Sequence, residues 1–459
     1  LDVALPFQRE GIHFLQTRTR ALLADDAGLG KSMQMIGAAD AAGCERILVL
    51  PPTIGRVSWK LQFGAWDKSA RPVWVFPGET CGLIPDGPLA MIVTLDWLSD
   101  RRRTKTLLRA MSTAQPFDAA FIDEAHNLKN PKANRTKAVY GPKLDLVGGV
   151  LADVATIYAA TATFTPLNAG EIYSHLRALF PQILLDLFQN QMPSHQTFVE
   201  RFCMVEATSY GDVIRGNNPA TIPDLRHALE PVLILRTKEA VLPQLPTLRT
   251  SRLPLDVADA DMQRLARETA DLSDDDFLAA VALAYGSDTA YSTRRRAMGV
   301  LKAKAALPWI IDYLENDPTR KLIVFAHHRE VIQTLCTELS RYEPVTIHGG
   351  TRADDDAFSV KCFQNRAQTR VFIGQNRAAN TAVTLTAADH VLLLEPDPSP
   401  SQNYQALSRA HRIGQASSVH GLFAYGTGNP IEARMVSIIR RRATDNQELF
   451  GVETPGAHI

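Results

Sequence analysis

No CxxC pair occurs in the 459 residues, and the five cysteines, Cys44, Cys81, Cys203, Cys336 and Cys362, are scattered and odd in number. That spacing offers neither a disulfide framework nor a zinc site. A reducing, intracellular compartment is expected. No apolar run is long enough to span a bilayer and no secretory signal is visible, so a cytoplasmic chain without a membrane partner is expected. Net charge is missing too: 49 Lys and Arg offset 49 Asp and Glu. A broad basic coat is excluded by this balance, but a local basic groove is not. There is no internal repeat and no low-complexity tract. The sequence begins at Leu1 rather than Met, and what precedes it is left open. What remains is ordinary globular composition, 45% hydrophobic and 21% charged, enough for two or three domains with cores.

Against that plain background one stretch stands out: Ala24-Asp25-Asp26-Ala27-Gly28-Leu29-Gly30-Lys31-Ser32. An apolar run, Ala21-Leu22-Leu23, leads in, and a helix-like segment from Met33 to Ala42 leads out. Strand, glycine turn, Lys-Ser and helix form a phosphate cradle, in which backbone N–H groups and a helix N-terminus favour anions. Lys31 would meet the β and γ phosphates of ATP, and the Ser32 hydroxyl would ligate Mg²⁺. Asp25 stands where the pattern G-x-x-x-x-G-K-[ST] has its first glycine. Upstream, Gln8 opens an apolar-periodic segment, and its amide can both donate to and accept from adenine.

Short apolar runs then alternate with helix-length segments. Arg46–Leu50, Met91–Thr94 and Ala119–Ile122 read as buried strands, which predicts a parallel sheet with helices on both faces. Ligands of such sheets sit at the carboxyl ends of strands, where the phosphate loop, Pro51–Thr53, Thr94 and Asp123 all fall. Asp123-Glu124-Ala125-His126 ends one of these strands. Asp123 can hold Mg²⁺, Glu124 can orient and deprotonate water, and His126 can relay phosphate occupancy to a neighbouring segment. The second half repeats the strand pattern at Lys321–Phe325, Val345–Ile347, Arg370–Ile373 and His390–Glu395, without a phosphate loop of its own. If Gln405 to Arg412 is helical, then Gln405, Arg409 and Arg412 share one face. Two guanidiniums there can grip a triphosphate.

Gly28-Leu29-Gly30-Lys31-Ser32 together with the Asp-Glu-Ala-His box resembles motifs I and II of helicase superfamily two. Asp25-Asp26-Ala27-Gly28-Leu29-Gly30-Lys31-Ser32 narrows the resemblance to the Swi/Snf family of double-stranded DNA translocases. Ala160–Asn168 is similar to motif III, with Ala162 and Phe164 replacing the family's glycine and proline. Residues 375–386 are similar to motif V, with Asn380 and Ala382 in place of two glycines. Gln405-Ala406-Leu407-Ser408-Arg409-Ala410-His411-Arg412-Ile413-Gly414-Gln415 resembles motif VI closely.

The resemblance implies an α/β fold of two RecA-like parallel-sheet lobes facing across an ATP cleft, with helical protrusions between them. Residues 1–245 would form the ATP-binding lobe, 246–310 a helical linker or protrusion, and 311–459 the second lobe with a C-terminal brace helix. It implies a DNA-stimulated ATPase, monomeric, using ATP and Mg²⁺ on double-stranded DNA. Lys31, Asp123, Glu124, Arg409 and Arg412 would be catalytic, Ser32 and Asp123 would hold the metal, and Gln8, Asp26, Gly28, Leu29, Gly30, Lys31, Ser32 and Gln405 would hold nucleotide. His126, Thr161, Thr163, Pro51, Thr53, Phe325, His327, His348, Gly349, Thr384 and Thr386 are the candidates for nucleic-acid contact and coupling. The extension-poor chain suggests a bacterial or viral member, associated with the nucleoid. A nucleotide-switched DNA clamp with weak hydrolysis and an RNA helicase remain the alternatives. Arg101–Arg103, Arg294–Arg296 and the basic residues of Leu235–Pro243 fit either DNA phosphate contacts or solvated surface equally well.

Overall fold

The computed structural model describes residues 4–53, 55–78, 83–162, 168–208, 211–257, 277, 290–351, 353–376 and 383–450. Two compact units divide the chain. One comprises Leu1–Val205, Ile214–Leu242 and Glu448–Phe450; the other comprises Glu206–Val213, Pro243–Gln447 and Gly451–Ile459. Among the described residues no helix is long and apolar enough to cross a membrane.

In the first unit, β1 (Arg20–Leu23), β2 (Arg46–Leu50), β3 (Val73–Val75), β4 (Leu89–Ile92), β5 (Ala119–Asp123), β6 (Thr156–Ala160) and β9 (Leu233–Ile234) form one sheet. The order is β3-β4-β2-β5-β6-β1-β9, and every pairing is parallel. β7 (Cys203–Thr208) and β8 (Gly211–Asn217) pair separately. Successive strand residues enter opposite cores. Leu22, Leu48, Leu50, Ala120 and Ile122 pack on one face, and Ala21, Leu23, Ile47, Val49 and Phe121 on the other. This two-sided burial is why the strands read as unbroken apolar runs. Each fully buried Leu, Ile, Val or Phe contributes about 2 kcal/mol of transfer free energy. Helices α1 (Pro6–Gln16), α2 (Lys31–Ala41) and α3 (Gly55–Trp66) cover the second of these faces through Ile12, Leu15, Ile36, Trp59 and Phe63.

The second unit has β10 (Leu248–Asp256), β11 (Leu322–Ala326), β12 (Val345–Ile347), β13 (Val371–Gln375), β14 (His390–Leu393) and β15 (Val419–Thr427). Their order is β10-β15-β14-β11-β13-β12, again parallel throughout. Leu322, Val324 and Ala326 face one core, while Ile323 and Phe325 face the other.

The domain plan differs from the sequence expectation. The stretch expected to be a helical linker, 246–310, opens with the nine-residue strand β10, paired to β15 over its whole length. As the outer strand of its sheet, β10 tolerates Pro254 and alternates half-buried with exposed positions, a pattern that dilutes its apolar signal. The helix Ala290–Glu315 is built into the second unit's core through Ala303, Ala306, Ile310 and Leu314, which recur at helical spacing. The main segment of that unit therefore starts at Pro243 rather than 311. Residues 258–276 and 278–289 of the expected protrusion lie outside the described residues.

Candidate active site

Register places the first unit's charged groups in one row. Leu23 of β1 and Asp123 of β5 both pair with Ala160 of β6, so the residues after these strands emerge together at the carboxyl edge. The phosphate loop follows β1, Thr161 follows β6, and Glu124 follows Asp123. The loop turns through Gly28 (φ 91°) and Gly30 (φ 80°), in the left-handed region that glycine enters without penalty. At Gly30 a Cβ would also lie 2.7 Å from Gln8 Nε2. Lys31 and Ser32 begin α2. The Lys31 ammonium donates to the carbonyls of Asp25 (2.7 Å) and Asp26 (3.1 Å). Gln8 lies against the loop: its Nε2 donates to the Leu29 carbonyl (3.2 Å) and its Oε1 accepts from the Leu5 N–H (2.9 Å).

The acid pair is held from three sides. Asp123 Oδ2 accepts from Trp59 Nε1 (2.8 Å), and Oδ1 accepts from the Glu124 N–H (3.0 Å). Burial, then the neighbouring Glu124 charge, raises the Asp123 pKa to about 6 against the opposing pull of Trp59 and Lys31. Glu124 has φ +47°, a left-handed conformation that costs a non-glycine residue about 1 kcal/mol or more. Its carboxylate meets Thr161, whose hydroxyl donates to Oε2 (3.2 Å), and His126 Nδ1 lies 2.9 Å from Thr161 Oγ1 and 3.2 Å from Glu124 Oε2. With the proton on Nδ1, donation runs from His126 to Thr161 to Glu124. The structure thus brings Glu124, His126 and Thr161 into one network. Thr163 lies outside the described residues.

Two of the supports were not legible as functional residues. Trp59 is fully buried at core spacing with Phe63, so its indole N–H partner is invisible in sequence. Arg236 belongs to the basic segment read as DNA contact or surface charge, and neither description fits it. Its side chain is 10% exposed and grips Asp25 with Nε to Oδ1 at 2.9 Å and Nη2 to Oδ2 at 2.6 Å. Lys238 of the same segment is 1% exposed. Asp25, the residue in the place of a glycine, is fully buried and also accepts from Gln34 Nε2 (2.9 Å).

The second unit carries the arginines. The helix Pro400–Leu407 holds Gln405 but stops before Arg409, so the expected shared helical face is not formed. The backbone passes there from an i−4 bond (Ser408 to Tyr404, 2.9 Å) to i−3 bonds (Arg409 to Ala406, 3.2 Å; Ala410 to Leu407, 3.1 Å) and turns at Gly414 (φ 97°). Arg412 reaches back instead, donating from Nη1 to the Val383 carbonyl and Thr384 Oγ1, each at 3.0 Å. Burial lowers its pKa. Arg409 is mostly buried, and its carbonyl accepts from the Leu385 N–H (2.9 Å). An arginine and a threonine proposed for different tasks are therefore directly bonded.

The other proposed contacts fall as follows. Pro51 and Thr53 follow β2; Thr53 is exposed and bonds Asp96 Oδ2 through its N–H (3.1 Å) and hydroxyl (2.8 Å). His327 follows β11, while His348 and Gly349 follow β12. Gln375, at the end of β13, bridges them: Nε2 donates to the His327 carbonyl (2.9 Å) and Oε1 accepts from the Gly349 N–H (3.0 Å). Glu395 accepts from the backbone N–H groups of His327 (2.7 Å) and His328 (3.0 Å), and its Oε1 lies 2.7 Å from His328 Nδ1. Burial alone would raise the Glu395 pKa, but the His328 ring and these N–H donors bring it down to about 2. Thr386 Oγ1 accepts from Gln364 Nε2 (3.1 Å). Phe325 is the exception: it lies inside β11 with its ring fully buried, so the side chain cannot reach a ligand. Its place in a fully apolar strand is the reason.

Comparison with known proteins places these features. The SNF2-related domain matches residues 7–279, and the helicase conserved C-terminal domain matches residues 305–414. A DNA annealing helicase and endonuclease ZRANB3 from Bos taurus is 29% identical over 460 residues, covering 96% of this chain and 40% of that protein. A SWI/SNF-related matrix-associated actin-dependent regulator of chromatin subfamily A-like protein 1 from Xenopus tropicalis is 30% identical, with 93% and 43% covered. The chain thus spans about two fifths of the length of these relatives. Among solved structures, the Sulfolobus solfataricus SWI2/SNF2 ATPase core in complex with dsDNA is 19% identical with a TM-score of 0.44, covering 93% of this chain and 88% of that one. With the SNF2-related domain covering more than half of its length and a helicase C-terminal domain behind it, the chain belongs to the SNF2-related, Swi/Snf family of helicase superfamily two.

Proposed function

We propose that this chain is an ATP-driven translocase on double-stranded DNA. The observation that carries the reading is the row at the carboxyl edge of the first sheet, where the phosphate loop, Thr161 and the Asp123–Glu124 pair emerge side by side. Gln8 would read the adenine, and Asp26, Gly28, Leu29 and Gly30 shape the cradle for the phosphates. Lys31 offers its ammonium to the β and γ phosphates. Ser32 and Asp123 are hard oxygen donors, and with Oδ2 accepting from Trp59 and Oδ1 from the Glu124 N–H each Asp123 oxygen keeps a lone pair, so these residues fit Mg²⁺. When bound, that ion neutralises phosphate charge. Glu124, oriented by Thr161 and His126, takes the proton of the attacking water on its carboxylate. Arg409 and Arg412 offset charge developing on the transferred phosphoryl group, and Gln405 assists in holding nucleotide.

Duplex DNA is the substrate surface on this reading, in keeping with a relative described as a DNA annealing helicase. Thr53, His327, His348, Gly349, Thr384 and Thr386, with Pro51 shaping its loop, would touch the DNA backbone. Contacts of that kind carry no sequence information and weaken with salt. The test is phosphate release with no nucleic acid, single strands, duplex, forked DNA and RNA. Duplex stimulation that fades with salt is the expected result. Stronger stimulation by RNA points to an RNA helicase, and ATP-dependent DNA binding without turnover points to a clamp.

A further inference from the structure

The segment that ends the first unit runs along the phosphate loop and is bonded to it repeatedly. Leu22 N–H donates to the Val232 carbonyl (2.8 Å), Ala24 N–H to Ile234 (2.8 Å) and Asp26 N–H to Arg236 (3.0 Å). The ladder of β1 and β9 therefore continues past the strands into the loop. Lys238 N–H then donates to Asp26 Oδ2 (2.9 Å). Five residues later the chain passes into the second unit at Pro243.

Arg236 adds a second layer of attachment. Its guanidinium bonds both Asp25 oxygens, Gln34 Oε1 of α2 (2.7 Å) and the Phe7 carbonyl of α1, and it lies 5.4 Å over the Phe7 ring. Room for this comes from Gly11, where a Cβ would stand 1.8 Å from Gln34 Oε1 and 2.6 Å from Arg236 Nη2. Asp25 in turn offers its carbonyl to Lys31 (2.7 Å), and Gln34 donates to the Leu29 carbonyl (3.2 Å), the same carbonyl that Gln8 bonds.

We propose that Arg236 is a positioning residue for the nucleotide site, setting the geometry of the phosphate loop and of Gln8 through Asp25 and Gln34 and binding the exit segment 234–238 to nucleotide occupancy. The inference rests on the phosphate-loop reading above. Removing the guanidinium strands a fully buried carboxylate, which must then move or take up a proton, and the loop moves with it. Arg236 does not touch the reacting atoms. Its loss therefore weakens binding in the ground and transition states alike, a change in KM rather than kcat. Coupling is reciprocal, so nucleotide should also stiffen the exit segment.

Arg71 provides the control. It is a guanidinium of the same unit, fully buried where Arg236 is nearly so, bonded to Asp40 (2.7 Å), Asp67 and the Cys44 carbonyl, beside the start of β2. The experiment compares Arg236→Gln, Arg236→Lys, Asp25→Asn, the Asp25→Asn/Arg236→Gln pair and Arg71→Gln. ATP KM and kcat, melting temperature and amide exchange of residues 234–238 with and without ATP are read for each. Expected are a KM raised about tenfold or more by R236Q with kcat within about twofold, a smaller rise for R236K, and a double variant no worse than R236Q. R71Q should lower the melting temperature and leave KM unchanged. ATP should slow exchange at residues 234–238 in the unsubstituted protein. A wild-type KM in R236Q or, should that variant not fold, in R236K overturns the proposal, as does an equal KM rise in R71Q. Absence of ATP binding by the unsubstituted protein defeats the phosphate-loop reading itself.

Discussion

The two parallel sheets end in loops of opposite chemistry. At the carboxyl edge of the first, side chains from different elements pair with one another: Trp59 steadies Asp123, Thr161 steadies Glu124, and Arg236 steadies the start of the phosphate loop. At the same edge of the second, charge is consumed in tying loops to one another. Glu395 is spent on the N–H groups of His327 and His328, Gln375 on the loops after β11 and β12, and Arg412 on Val383 and Thr384. One architecture thus supports the rim proposed above as reactive and a second, cross-tied rim from which the arginines are proposed to act. The difference lies in whether buried polar groups bond one another's side chains, as at the first rim, or mainly the backbone of neighbouring loops, as at the second.

Four measurements break or sharpen that contrast. The largest effect is expected from Lys31→Ala, which should reduce ATP turnover to about a thousandth or less by removing the phosphate-binding cation. Phosphate release measures it, and retained turnover would mean that the first rim is not the reactive one. Arg412→Ala should lower turnover by about 10³-fold while nucleotide binding persists, as for an arginine acting on transferred phosphate. Because Arg412 also holds Thr384, any DNA stimulation should fall with it; equilibrium nucleotide binding beside single-turnover hydrolysis separates the two effects.

Glu395 tests the cross-tied rim by acid. Its folded pKa of about 2 lies below the ordinary 4.5, so the native state binds fewer protons between those values. The stabilisation, about 3 kcal/mol, is fully present above pH 4.5 and is lost as pH falls towards 2. Glu395→Gln should destabilise the protein near neutrality and flatten the decline of stability across that window; acid titrations of both proteins at fixed temperature decide it. The smallest effect is Trp59→Phe, which deletes one hydrogen bond to a carboxylate and should slow hydrolysis by about tenfold. An unchanged rate at every Mg²⁺ concentration would show that Asp123 needs no such support.

Much of the fold was readable because its signals are local. Runs such as Ile47-Leu48-Val49-Leu50 and Leu322-Ile323-Val324-Phe325 are buried on both faces, and that leaves them continuous in sequence. The glycine turn before Lys31 is readable for the same reason, since positive φ selects the residue. Long-range pairings left no such trace. Arg236 meets Asp25 across more than two hundred residues, and nothing in Leu235-Arg236-Thr237-Lys238 tells a buried guanidinium from a solvated one. β10 escaped notice because a strand with one free edge keeps polar residues, and the helix end before Arg409 because the change there to i−3 hydrogen bonds follows no glycine or proline. Phe325 shows the reverse error: a motif match marks a neighbourhood, and strand periodicity decides which of its side chains can be touched.

Gln375 behaves as a ruler. Both polar atoms of one amide are engaged by different loops, so the His327 carbonyl and the Gly349 N–H are spaced by a single amide group and its two hydrogen bonds. A carboxylate in its place would keep the acceptor but face the His327 carbonyl oxygen with another oxygen, and the two loops would be driven apart. Any elongated ligand lying along that rim would meet two loops held at the width of one planar amide, with a tolerance set by its two hydrogen bonds.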